Sequence, residues 1–141
     1  MVVLKRWRFI LLGLAVAGLL MIPALALASN KPTVYYASKL SKKTTCDSTG
    51  ISGPTGKVTL FVYALKGKHP SRSAVSCRRA IAVARAGKNY MFSNLRKSYG
   101  KTFSVQGTSY KVEEFIFVAA SGPSPGFVGA DTVVAAQYPS G

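Results

Sequence analysis

The sequence predicts an α+β domain in which one principal amphipathic helix packs on a small antiparallel sheet, with one disulfide joining them. Three observations carry that expectation. The candidate elements follow one another as strand, helix, hairpin, strand; one stretch has clear helical periodicity with a cap residue at each end; and a lone cysteine pair brackets the first long strand and the start of that helix.

Taken in order, residues 29–43 are polar and lysine-rich. They hold one short extended candidate at 33–37, where Val34, Tyr35 and Tyr36 favour an edge strand. Residues 44–56 form a loop, with Asp47, Ser48, Gly50, Gly53, Pro54 and Gly56 supplying turn chemistry around Cys46. Residues 57–66 are rich in β-branched and aromatic side chains and too short for a helix, which predicts a well-buried strand at the centre of the sheet. The stretch 67–73, with His69 before Pro70, breaks that strand.

The helix then starts near Ser76 and stops at Gly87, because serine caps an N-terminus and glycine accepts the C′ position. At 100° per residue Cys77, Ala80, Ile81 and Ala84 share one face, with Val83 beside them, while Arg78, Arg79 and Arg85 fall on the other. Residues 88–100 are mixed and fit either a second short helix or an aromatic-bearing loop. Residues 102–106 and 109–119 read as a hairpin around Gly107 and Thr108, residues 121–126 as a Pro- and Gly-containing loop, and residues 131–138 as a last strand.

Upstream of this domain, Lys5, Arg6 and Arg8 precede an uncharged run, 9–22, that Pro23 interrupts, and small residues two apart follow at Ala24, Ala26 and Ala28. That is the layout of an export leader, 1–28, cleaved after Ala28 and leaving a single domain, 29–141. The alternative is an uncleaved membrane anchor, since 9–28 is an uncharged stretch of about twenty residues; the basic residues ahead of it would then leave the C-terminal part outside. After cleavage no transmembrane span is expected, and the domain is expected to be a monomer. In an oxidising compartment Cys46 and Cys77 are expected to close a disulfide, for which two cysteines allow one intramolecular connectivity.

The chain has 19 basic and 4 acidic residues, of which the leader holds three basic ones, so 29–141 carries a formal charge of +12. Such a potential favours an anionic extracellular polymer or surface as partner. The sharpest binding candidates are Arg78, Arg79 and Arg85, extended by Lys88, Arg96 and Lys97, with Tyr90, Phe92 and Tyr99 available for stacking. The competing reading is a solvated helix face with ordinary core aromatics, and an unidentified protein partner is the other class of interaction.

Chemistry has little to draw on here. His69 with Glu113 or Glu114 and an arginine has the makings of a nuclease set, but adjacent residues on a strand point to opposite faces. Phosphate-cradling glycine loops, nucleophile elbows and metal-spaced histidines are absent from the sequence, so the expectation is a non-enzyme without metal or cofactor.

The segment from Val75 to Ala86, in which Cys77 opens an alanine- and arginine-rich helix, resembles short secreted proteins of actinobacterial type; that likeness implies secretion and the disulfide, and no activity. The run Val58, Thr59, Leu60, followed by His69, Pro70 and Cys77, is similar to subtilisin-inhibitor-like secreted proteins, with a strand, a Pro-bearing loop and a cysteine before a helix. Those inhibitors resemble two-disulfide proteins, whereas this chain has no cysteine after Cys77, so no reactive-site residue is carried over. The expected function is therefore a secreted, non-catalytic binding or structural module for an anionic partner, with a protease inhibitor and a small nuclease-type hydrolase as the alternatives.

Overall fold

The computed structural model describes residues 31–92, 94–120 and 122–139; the leader read from the sequence lies outside them. The strands are β1 (Val34–Tyr36), β2 (Ser41–Cys46), β3 (Ser52–Gly53), β4 (Gly56–Lys57), β5 (Thr59–Ala64), β6 (Thr102–Val105), β7 (Thr108–Ile116), β8 (Ser124–Val128) and β9 (Thr132–Gln137). Three helices separate β5 from β6: α1 (Cys77–Ala86), α2 (Lys88–Phe92) and α3 (Leu95–Ser98). A single 3-10 turn, Ala37–Lys39, links β1 to β2.

The α+β class and the disulfide agree with the sequence, but the sheet is neither small nor wholly antiparallel. Seven strands make it, in the order β1-β7-β8-β9-β5-β2 with β6 also on β7, and β1 runs parallel to β7. The enlargement comes from two segments: 41–46, read as polar chain and loop, where Ser41–Cys46 forms β2 on β5, and 121–126, read as a loop for its prolines and glycines, where Ser124–Val128 instead forms β8 between β7 and β9. Pro125 sits one residue ahead of Gly126, the first residue that pairs with β9, and a strand start is where a missing N–H is tolerated. Gly126 in turn leaves room for Phe115, whose Cβ lies 3.2 Å from where a side chain would begin. Strand β5 is interior, bonded to β2 and β9, yet the β8–β9 hairpin holds the middle of the sheet that the sequence reading gave to β5.

Alternation along the inner strands sorts their side chains to two faces. Leu60, Val62, Tyr110, Val112, Phe127, Val134 and Ala136 join Ala80, Val83 and Ala84 of α1 in the main core. Tyr63, Phe115, Val133 and Ala135 bury themselves on the other side, with Phe61, Phe117, Tyr35 and Leu40 packed around them. Among the described residues no α-helix packs on this second face; the sheet covers it by rolling. Strands β1 and β2 stand at opposite ends of the ladder yet are joined only by residues 37–40. Five inter-strand gaps of a flat sheet would span about 24 Å, while five residue steps reach at most about 18 Å. The sheet must therefore curl until the connection closes across the aromatic face, where Ala37 and Leu40 pack.

Candidate functional site

Helix α1 is positioned by two links to β2. Thr44 and Cys46 share one face of that strand, being two residues apart; the Thr44 hydroxyl donates to the Val75 carbonyl, and Cys46 is bonded to Cys77. The same two-residue stagger on both sides fixes the direction in which the helix leaves. Ser76 caps it: its Oγ accepts from the Arg79 N–H at 3.2 Å and donates to the Ser73 carbonyl at 2.9 Å. Cys46 is buried at the strand end, whereas Cys77 is half-buried, so the disulfide is less enclosed than a helix face pointing inward implied.

At this capped end a cleft of about 340 Å³ opens, lined by Ser73, Ser76, Arg78, Arg79 and Gln106. Its side chains are two guanidinium groups, two hydroxyls and an amide, with no acid among them. Arg79 is half-buried and donates from Nη1 to the Val105 carbonyl at 3.4 Å, which holds the guanidinium between helix and hairpin; Arg78 is exposed. Gln106 enters from the β6–β7 turn, where its φ of 51° and the 79° of Gly107 place both central residues in the left-handed region of a type I′ turn. The first turn of a helix concentrates positive potential from its N–H groups, so every element of the cleft favours an anion.

The three arginines singled out in the sequence thus separate. Arg78 and Arg79 meet in the cleft, while Arg85 lies at the far end of α1, with its Nη2 3.6 Å from where a side chain at Gly50 would begin. There it complements the negative end of the helix dipole. Lys88, Arg96 and Lys97 are exposed, but Tyr90, Phe92 and Tyr99 are committed to the fold: Tyr90 packs on Phe103 at 5.9 Å and Phe92 on Tyr138 at 5.8 Å between ring centroids. Ser73 and Gln106 were not legible as site residues, since only the folded hairpin brings residue 106 to the helix start.

No known family model matches the chain, and neither does any curated protein or solved structure. Its functional reading rests on its own geometry.

The residues weighed for catalysis do not converge. Glu113 and Glu114 point to opposite faces of β7. Glu113 is 3 % exposed, pairs with Lys111 at 3.3 Å and accepts the Thr33 N–H at 2.5 Å. Glu114 lies by Tyr99, whose pKa is raised by burial first and by that carboxylate second, with Arg96 opposing. His69 is exposed in the turn after β5. Among the described residues there is no group of three side chains able to hold a metal ion, and no helix long and apolar enough to cross a membrane.

A second hollow, about 350 Å³, is lined by Pro54, Thr55, Met91, Phe92, Tyr138 and Pro139. It carries no charged residue. The Tyr138 hydroxyl donates to the Met91 carbonyl at 2.8 Å, and burial pushes its pKa up to about 12.

Proposed function

We propose that this chain is a non-catalytic extracytoplasmic module that holds an anionic polymer through the Arg78–Arg79 cleft. The observation that carries the reading is an acid-free cleft built from two arginines, two serines and a glutamine at a capped helix start. It stands in a chain of formal charge +15, so long-range attraction and local recognition have the same sign. Export is supported by the leader-like layout of 1–28 and by the disulfide, a bond that persists where oxidants reach it. An uncleaved leader would keep the same module tethered outside the membrane.

The direct test is binding of polyphosphate to the whole chain, measured by calorimetry. Replacing Arg78 and Arg79 together by alanine removes two charge-assisted contacts and is expected to weaken binding at least tenfold, at about 1.5–3 kcal/mol per charged hydrogen bond. Arg85→Ala is expected to change it little. Binding equal in all three proteins, with the fold intact by circular dichroism, would overturn the assignment.

A further inference from the structure

At one end of the sheet β1 runs parallel to β7. Tyr35 packs on the aromatic face, so Val34 and Tyr36 turn to the opposite one, in register with Glu114 and Ile116. Val34 is 37 % exposed and Tyr36 43 %, and Val118, just past the end of β7, is 63 % exposed. These are the large apolar side chains that stand out at the surface among the described residues. The Lys39 ammonium lies 5.3 Å from the Tyr36 ring centroid, and Lys31 precedes the strand in sequence. Two acids border this end: Glu113, which accepts the Thr33 N–H and pairs with Lys111, and Glu114, which is in register with Val34.

We propose that this surface docks on an anionic lipid bilayer, with Val34, Tyr36 and Val118 entering the headgroup layer and Lys39 against the phosphates. Apolar side chains beside an aromatic ring with a polar tip, edged by lysine, are what the interface between water and acyl chains accommodates. Two further facts favour lipid over a second copy of the chain. The uncharged run 9–28 ends just ahead of Val34, so whether the leader is threading the membrane or retained in it, this is the part of the fold that the sequence holds nearest the bilayer. A chain of formal charge +15 also repels its own copies and is drawn to anionic leaflets. This surface is separate from the Arg78–Arg79 cleft, and the two readings stand or fall independently.

The test uses the full chain with Trp7→Phe, which removes its one tryptophan, and then Tyr36→Trp or Val118→Trp as the reporter. Each is mixed with phosphatidylglycerol vesicles carrying brominated acyl chains. The indole at position 36 or 118 is expected to shift to the blue and be quenched, whereas His69→Trp, on an exposed turn after β5, is not. Adding Lys39→Glu to the Tyr36→Trp protein is expected to weaken docking about fivefold or more, the factor that one basic residue contributes at such a surface. Quenching at position 36 no greater than at position 69, on vesicles that retain the chain, would overturn the proposal. So would sedimentation showing self-association without lipid that Tyr36→Ser abolishes, since the surface would then be a contact between copies. Polyphosphate binding by the same variants is expected to be unchanged, which keeps a failure here distinct from a failure of the cleft.

Discussion

Gly87 reads in the sequence as a helix stop, and its φ is −90°, a conformation open to any residue. The need for glycine is spatial. A Cβ there would lie 2.8 Å from Cζ of Phe127 and 2.9 Å from Cζ of Phe103, two rings packed edge to face at 5.3 Å in the main core. Phe127 is fully buried and has nowhere to move, so Gly87→Ala is expected to cost about 1–3 kcal/mol, as overpacking generally does, and urea unfolding measures it. Glycine was legible at this position; the reason for it was not, because the rings that exclude a side chain come from β6 and β8. Tyr138 gives a second prediction at this scale. Burial raises its pKa to about 12, so the folded state holds the phenolic proton more tightly than the unfolded chain does. Its contribution to stability is full below the ordinary phenol range and is lost as pH rises through that range towards about 12. Tyr138→Phe is expected to flatten that part of the stability profile and to cost about 1 kcal/mol at neutral pH through the lost bond to Met91.

At the scale of elements, what could be read in advance were the segments whose local pattern agrees with their final state. Helix α1 falls between its predicted caps and buries the face with Ala80, Val83 and Ala84; the β6–β7 hairpin forms where expected with its turn one residue earlier, at Gln106 and Gly107, and β9 lies within its predicted range. Strand β8 was hidden because Ser124, Pro125 and Gly126 carry turn propensities, and only its place between β7 and β9 makes a strand of them. The parallel pairing of β1 was hidden too, since three residues cannot announce which edge they will join. The disulfide acts at this scale by tying the end of β2 to the start of α1 across a sequence separation of 31. On the loop-closure model, replacing Cys46 and Cys77 by serine is expected to cost about 3–4 kcal/mol. Polyphosphate affinity is expected to fall in the same variant, because the helix end that carries Arg78 and Arg79 loses one of its two links to the strand. The β6–β7 turn offers a gain instead: Gln106 holds a φ of 51°, and Gln106→Asn is expected to stabilise the fold by up to about 1 kcal/mol, asparagine being the more tolerant residue there.

At the scale of the whole molecule, the excess of positive charge makes some binding to any polyanion inevitable, so affinity alone does not single out the cleft. The salt dependence does. Each phosphate that a cationic side chain neutralises releases condensed counterions, and the slope of log K against log salt changes by roughly 0.7–0.9 per contact. Charges that act only through the general field are screened at a Debye length of about 8–10 Å and change the slope little when removed far from the ligand. Two double variants with the same loss of charge separate these terms: Arg78→Ala with Arg79→Ala, in the cleft, and Lys66→Ala with Lys68→Ala, both exposed after β5. The cleft pair is expected to reduce the slope for a single-stranded polyanion by about 1.4, and the lysine pair to leave it nearly unchanged. Titrations of polyphosphate against each protein across a range of salt concentrations measure both slopes. Equal slopes in the two variants would mean that the chain attracts anions as a diffuse charge, with no particular seat for them at the start of α1.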